Sequence, residues 1–140
     1  MKILLAVDGS KNSLDAVASL IKHADWFSAP PKVRLVYVHL PVPRVGAMGP
    51  SRTALARYYN EEGVQRLAKA NRMLDKANIP HVVSILVGDP AETICKVAAA
   101  EKCDLICMGS RGLGAAANLI LGSVATKVLH GAKMPVLLVK

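Results

Sequence analysis

The sequence predicts an α/β fold in which five parallel β-strands form one open sheet with helices on both of its faces. Five short apolar segments alternate along the 140 residues with stretches whose apolar residues recur at helical spacing. The apolar segments contain few polar residues, which is typical of parallel strands that are covered on both faces. Strands and helices in this alternation are joined by right-handed crossovers.

Turn and cap residues indicate where these elements begin and end. Asn12 or Ser13 is expected to cap the first helix, and Asp89 the third, with Pro90 at its first helical position. Gly131 is expected to end the last helix. The predicted strands are residues 2–7, 33–40, 81–87, 104–108 and 135–140, and the predicted helices are residues 12–27, 51–78, 90–102 and 118–131, the last beginning at Asn118 or a nearby residue.

Two features interrupt this pattern. Residues 41–50 contain three prolines and two glycines, which predict a long loop after the second strand. We expect this loop to act as a mobile cover over the ligand end of the sheet. Gly63 falls inside the second helix, where glycine is expected to weaken or bend it at a cost of ~1 kcal/mol relative to alanine.

Composition predicts a cytoplasmic protein that forms a core without disulfides or metal ions. About half of the residues are apolar, and no stretch approaches the ~20 apolar residues that span a bilayer. The apolar run from Ile3 to Val7 is too short for a signal peptide. The three cysteines, Cys95, Cys103 and Cys107, are interpreted as buried small apolar residues, with a redox role left open.

The net charge of +8 is concentrated in one segment. Residues 32–76 contain nine basic and three acidic residues, a net charge of +6. Such a segment suits nucleic acid, an anionic ligand or acidic partners. The basic residues alternate with apolar ones at helical spacing and only five aromatic residues accompany them in the whole chain, so an exposed helix face is favoured over nucleic-acid binding.

Glycine and polar residues follow the first and fourth predicted strands. Asp8-Gly9-Ser10 follows the first, and Gly109-Ser110-Arg111-Gly112 the fourth. Open parallel sheets bind ligands at the carboxyl ends of their strands, where the winding direction reverses. The strand order 3-2-1-4-5 makes the first and fourth strands neighbours at that point, so that both loops line one crevice.

The second loop has the features of a phosphate site. Gly109 and Gly112 are followed after nine residues by Gly122-Ser123, near the predicted start of the last helix. Exposed N–H groups and the helix dipole at such a position favour phosphate, and Arg111 adds a forked donor. On these grounds alone, the glycines are equally well explained as turn residues.

A family resemblance decides between these readings. The segments from Met108 to Gly112 and from Leu121 to Ala125, followed by residues 135–139, resemble the C-terminal signature of universal stress proteins, G-x2-G-x9-G-[S/T]. The start, residues 3–10, resembles the first strand and aspartate of that family. The resemblance covers residues 1–140 as one domain and implies the 3-2-1-4-5 sheet.

The resemblance also implies a function and a set of ligand-binding residues. The glycine motif marks the ATP-binding branch of the family, with Mg²⁺ or Mn²⁺ carried on the phosphates and homodimers formed through the C-terminal strand, here residues 134–140. Position 111 is often histidine in the family and is arginine here. The implied contacts are Gly109, Gly112, Gly122 and Ser123 for the phosphates, Asp8 for the ribose, the Val38 backbone for adenine, and Gly88 at the border of the base. Arg111 is expected to preserve or strengthen anion binding, and Val124 is also expected to be a ligand-binding residue.

We therefore predict an ATP-binding regulatory protein of the stress response, with a protein partner that the sequence does not identify. A slow ATPase or phosphotransferase is the alternative, although Asp8 is the only acidic residue in either loop. A basic nucleic-acid-binding domain is the less favoured third hypothesis. No catalytic or metal-binding side chain is predicted. His39 is interpreted as structural because it has no acidic neighbour in the sequence, and His130 because it lies at a helix end, where it interacts favourably with the helix dipole.

Overall fold

The chain folds around one parallel five-stranded sheet with the order β3-β2-β1-β4-β5, as predicted. The computed structural model describes residues 1–43, 49–113 and 120–140. The middle of the predicted cover loop and the predicted helix start at Asn118 lie outside the described residues. The elements in chain order are β1 (Lys2–Ala6), α1 (Lys11–Lys22), a 3₁₀ turn (Ala24–Trp26), β2 (Lys32–His39), α2 (Arg52–Lys76), β3 (His81–Val87), α3 (Pro90–Ala100), β4 (Leu105–Gly109), α4 (Ser123–Gly131) and β5 (Val136–Val139).

Burial explains why the strands could be read from the sequence. The side chains of Ile3, Leu4 and Leu5 in β1 are all fully buried, because this strand lies at the centre of the sheet with helices on both faces. One apolar cluster fills the face under α1 and α2, and a second fills the face under α3 and α4. Within residues 1–43, 49–113 and 120–140, no helix combines the length and the apolar character that a membrane crossing requires.

The helix starts agree with the sequence at two positions and differ at one. Asp89 caps α3 by accepting a hydrogen bond from the Glu92 N–H, as predicted, and Ser51 caps α2 in the same way. The predicted cap of α1 at Asn12 or Ser13 is wrong, because Ser10 caps this helix through the N–H of buried Ser13. The last helix, α4, begins at Ser123 and ends at Gly131, as predicted for its end.

Gly63 does not interrupt α2. The helix continues through this position from Arg52 to Lys76, and Gly63 is buried against β3. A β-carbon at this residue would lie 2.4 Å from Cγ2 of Ile85, well inside van der Waals contact. The glycine therefore allows α2 to pack more closely on the sheet than a residue with a β-carbon would.

The cysteines occupy the apolar positions that the sequence predicted for them. Cys103 and Cys107 are buried and Cys95 is half-buried, and all three are free thiols. Burial raises the pKa of the Cys107 thiol to about 12, which keeps it protonated and unreactive at neutral pH.

Candidate functional site

A cavity of about 350 Å³ opens at the carboxyl ends of β1, β2 and β4, beside the start of α4. This is the point where the winding of the sheet reverses, and the volume lies in the range of small-molecule sites. Eight of the nine predicted ligand-binding residues line it: Asp8, Val38, Gly109, Arg111, Gly112, Gly122, Ser123 and Val124. Gly88 is not among the lining residues; its N–H donates to the His39 carbonyl at the end of β2.

One part of the cavity is apolar. Its wall comes from both strands and helices, and Pro90 and Ile94 of α3 contribute to it although the sequence analysis did not single them out. The signal for them was the turn Gly88-Asp89-Pro90, which places the start of α3 at the ligand end of the sheet. The apolar lining residues are Ala6, Val7, Val36, Val38, Pro90, Ile94, Met108, Leu113, Val124 and Ala125.

Val38 presents backbone groups to this apolar part. In a parallel sheet, alternate residues of a strand direct both their N–H and C=O groups toward the same neighbouring strand. Val36 bonds on the β1 side, where its carbonyl accepts the Val7 N–H at 2.9 Å, so Val38 directs its groups to that side too. Because β1 ends at Ala6, no backbone group of the described residues pairs with Val38 there. An edge that offers one donor and one acceptor suits a heteroaromatic base.

Asp8 joins the two loops at the polar end of the cavity. One carboxylate oxygen accepts the Ser10 N–H at 2.9 Å, and the other accepts the Leu113 N–H at 3.1 Å. The turn and the ligand interpretations of Asp8 are thus compatible, since two lone pairs of a carboxylate are used and about two remain. Asp8 is the only carboxylate among the described residues that line the cavity.

The three motif glycines are required for different physical reasons. A β-carbon on Gly109 would lie 2.8 Å from the Asn12 carbonyl carbon, so this residue allows β4 to pack against the start of α1. A β-carbon on Gly112 would lie 2.6 Å from Oδ2 of Asp8, so this glycine allows the two loops to meet. Gly122 has φ −76° and room for a β-carbon at 3.4 Å or more, so its backbone does not require glycine.

The start of α4 gives the cavity a site for anions. Gly122 precedes the helix, and no side chain of the described residues caps it, unlike the starts of α1, α2 and α3. Ser123, Val124 and Ala125 of the first turn line the cavity, and their N–H groups have no partner within the helix. Half-buried Arg111 lines the same end and adds a cationic donor. This end can therefore bind a phosphate group through backbone N–H groups, the helix dipole and a guanidinium.

Similar sequences cover the full length of the chain. A sequence model of the universal stress protein family matches residues 1–140. The universal stress protein MJ0531 of Methanocaldococcus jannaschii is 37% identical over 141 residues, which cover 99% of this chain and 81% of that protein. A Thermus aquaticus protein, described as the universal stress protein in the QAH/OAS sulfhydrylase 3′ region, is 38% identical over 143 residues, with 99% and 97% covered.

Solved structures share the fold. The structure of MJ0577 from M. jannaschii has a TM-score of 0.81 at 27% identity and covers 99% of this chain and 94% of its own. A universal stress protein in complex with cAMP has a TM-score of 0.71 at 24% identity, with 99% and 95% covered. An Arabidopsis thaliana family protein with AMP bound has a TM-score of 0.68 at 18% identity, with 100% and 91% covered.

Proposed function

Since this chain belongs to the universal stress protein family, we propose that it binds an adenine nucleotide, ATP, in the cavity between β1, β2, β4 and α4. The observation that carries the proposal is the arrangement of two complementary ends in one cavity. One part of the cavity is apolar and includes the Val38 backbone edge, with which no described backbone group pairs on the β1 side. The other end is polar and is formed by Asp8, Arg111 and the start of α4, which no described side chain caps. Two fold relatives hold AMP and cAMP, which supports the same ligand class here.

The residues divide by the part of the nucleotide that they fit. The Val38 N–H and C=O suit the edge of adenine, and the Asp8 carboxylate suits the ribose hydroxyls through its remaining lone pairs. The first-turn N–H groups of α4, the Ser123 hydroxyl and the Arg111 guanidinium suit the phosphates. Within the described residues, no group of three histidine, cysteine or acidic side chains is placed to hold a metal ion. A Mg²⁺ or Mn²⁺ ion would therefore be held by the phosphates themselves.

A regulatory binding role fits this site better than turnover. Hydrolysis needs a base that activates water, and Asp8, the one carboxylate among the described lining residues, already accepts two backbone N–H groups. We propose that the nucleotide-bound and free proteins differ at the surface around the cavity, where a protein partner would recognise the difference. Gly88 remains a predicted neighbour of the base.

Identification of the bound ligand tests the proposal directly. Protein purified without added nucleotide is denatured, and the released small molecules are identified by mass spectrometry. Calorimetry with ATP, AMP, cAMP and GTP, each with and without Mg²⁺, then ranks the ligands. The proposal predicts that adenine nucleotides bind more tightly than GTP. Failure of every adenine nucleotide to bind would refute it.

We also propose that two copies associate through β5, the strand at one edge of the sheet. Residues 134–140 are apolar except for Lys140, and Leu137 exposes 38% of its surface. An open apolar edge invites pairing, and pairing with the same strand of a second copy is self-complementary. Light scattering on the wild type and on a Val136→Lys, Leu138→Lys double variant tests this. A wild type with the mass of one chain, or a folded double variant that remains dimeric, would contradict the proposal.

A further inference from the structure

The end of the molecule opposite the cavity carries a set of exposed lysines. All five strands begin at this end and the four α-helices finish there, because the strands are parallel and each helix returns the chain to the start of the next strand. The lysines lie at the ends of α1 and α2, at the start of β2, and in the loops after α3 and α4. They are Lys22, Lys32, Lys76, Lys102 and Lys133, and we call them the lysine end.

The lysine end has no ion-pair partner among the described residues. Residues 44–48 and 114–119, which lie outside the described ranges, contain no acidic residue. Other basic side chains of the helices do pair with acidic ones, within a helix or between α3 and α4. These pairs are Lys11–Asp15, Arg57–Glu61, Arg66–Glu62, Lys96–Glu92 and Lys127–Asp89. Positive charge is therefore less neutralised at the lysine end than along the helices.

Helix dipoles account for only part of this arrangement. A lysine at a helix end stabilises the negative pole of the dipole, and four such poles amount to about two negative charges. Of the four acidic residues at this end, Asp75 and Glu101 are in ion pairs, whereas Asp25 and Asp104 have none among the described residues. The five lysines and the α-amino group of Met1 outnumber the unpaired carboxylates and the dipoles together, so this end is positive.

The single tryptophan of the chain lies at the same end. Trp26 closes the 3₁₀ turn that follows α1, and 72% of its surface is exposed. Its ring packs on that of His23 with centroids 4.1 Å apart, and its backbone N–H donates to the His23 carbonyl at 3.0 Å. The turn thus holds the indole beside Lys22 while most of it faces solvent. Tryptophan is enriched where one side of a contact is apolar and the other is wet, as at a membrane surface.

The residue types at the lysine end favour a lipid surface over other polyanions. Protein interfaces are depleted in lysine and enriched in arginine. Grooves that bind single-stranded nucleic acid combine cations with several stacking rings, and Trp26 is the one exposed aromatic residue described here. Lysine is a point charge on a flexible stem that needs no fixed partner geometry. Since the five lysines come from five different segments, they spread across the end of the molecule and can meet a flat anionic surface together.

We propose that the lysine end binds the surface of a bilayer that contains anionic phospholipids, with Trp26 entering the headgroup region. Each lysine near such a surface raises affinity about fivefold, and the indole adds apolar contact, so two signals act together. This inference goes beyond the proposed function and does not require it. The cavity lies at the carboxyl ends of the strands, so its opening faces away from the bilayer and stays accessible to a nucleotide.

Trp26 is also the probe for the test, because no other tryptophan contributes to the emission spectrum. The protein is titrated with vesicles of phosphatidylcholine alone and with vesicles of equal parts phosphatidylcholine and phosphatidylglycerol, at ~0.1 M salt. With the mixed vesicles, the emission should shift to shorter wavelength, and sedimentation with the vesicles should give the affinity. Phosphatidylcholine alone should produce neither effect, and added salt should weaken the binding.

Two triple variants separate the position of the charge from its amount, since both lower the net charge of +8 by three. The first changes the lysine end: Lys22→Gln, Lys32→Gln and Lys76→Gln. The matched control changes exposed cations near the starts of α1 and α2: Lys11→Gln, Arg52→Gln and Arg57→Gln. Helix α1 is about 18 Å long, which exceeds the Debye length of about 10 Å, so the control charges lie beyond the range of the surface.

The first triple variant should bind the mixed vesicles roughly a hundredfold more weakly than the wild type, and the control less than about threefold more weakly. Trp26→Ser should weaken sedimentation with the vesicles at least fivefold, roughly the effect of one partly buried large side chain. All of the substituted side chains are exposed, and circular dichroism checks that each variant is folded.

Four results would overturn the proposal. One is equal binding to both kinds of vesicle, or no binding to the mixed ones. Equal losses in the two triple variants would show that net charge alone attracts the protein. Displacement from the mixed vesicles by ATP with Mg²⁺ would place the contact at the cavity instead. Binding of single-stranded DNA or polyglutamate by the wild type, lost in the first triple variant and without vesicle binding, would assign the lysine end to a different polyanion.

Discussion

Replacement of Asp8 tests the polar end of the cavity most directly, because this residue has two separable roles. In the structure it joins the β1 loop to the β4 loop through the N–H groups of Ser10 and Leu113. In the proposed function it also accepts hydrogen bonds from the ribose hydroxyls. Asp8→Ala removes both roles, whereas Asp8→Asn keeps one oxygen and places an amide N–H₂ group where the other oxygen was.

The structural role sets the expected loss of stability. Hydrogen bonds to a charged group contribute about 1.5–3 kcal/mol when buried. Asp8 is half-buried, so the lower end applies, and Asp8→Ala should lower the free energy of unfolding by about 2 kcal/mol. Asp8→Asn should lose about half of this, because its oxygen can still accept the Ser10 N–H while its amide opposes the Leu113 N–H. Urea denaturation measures both values.

The ligand role appears as a coupling between the residue and one hydroxyl of the nucleotide. Asp8→Ala should weaken the binding of ATP by more than it weakens the binding of 2′-deoxy-ATP. The expected difference is about 1 kcal/mol, or roughly fivefold in affinity. Calorimetry with both nucleotides on wild type and variant completes the cycle. The stability loss affects both nucleotides alike and therefore cancels. Equal losses for ATP and 2′-deoxy-ATP would show that Asp8 does not contact the 2′-hydroxyl.

Three further substitutions or measurements follow from the packing. Gly63→Ala should lower the free energy of unfolding by roughly 1–3 kcal/mol, because its β-carbon overlaps Ile85. Urea denaturation measures this free energy, and a higher value in the variant than in the wild type would refute the packing argument. Burial raises the pKa of Cys107 to about 12, so this thiol should resist a thiol reagent near pH 8 in the native protein and react only after unfolding. Mass spectrometry measures the labelling, and rapid labelling of the native protein would contradict the burial of Cys107. Gly122→Ala should change the free energy of unfolding by less than ~1 kcal/mol, since its β-carbon meets Arg111 and its neighbours at ordinary contact distances. Gly122→Val should weaken ATP binding at least tenfold, ~1.4 kcal/mol. Equal ATP affinity in a folded valine variant would exclude phosphate contact there.

The strands and their order could be predicted because local composition and loop chemistry determine them. A strand buried on both faces must be apolar where it is buried, and residues 3–6 of β1 and the whole of β4 meet this condition. The order followed from Asp8 and the glycine loop, which both had to reach one crevice. The cap of α1 was misplaced because Ser10, Asn12 and Ser13 are all good cap residues in sequence, and only burial of Ser13 in the folded chain distinguishes them.

The contact between His39 and Glu62 could not be predicted from local sequence. Glu62 lies 23 residues beyond His39, and their contact depends on how far α2 is shifted along the sheet. Gly63 sets that packing by allowing the helix to approach Ile85 closely. Gly63, which the sequence analysis treated as a weak point of α2, is therefore adjacent to Glu62, the residue that bonds the His39 ring. A helical glycine next to an acidic residue is too common a pattern to indicate such a contact alone.

The glycine motif describes more of the fold than its role as a phosphate loop suggests. Gly109 serves the contact between β4 and the start of α1, and Gly112 serves the contact with Asp8, so two of its three glycines join structural elements. Loss of either is expected to separate the parts of the cavity before any phosphate is involved. Of the three, only Gly122 has room for a β-carbon, so we expect ligand approach to be the reason for glycine there. The first two glycines of the motif therefore account for the shape of the cavity, and the proposed phosphate contact depends on the third.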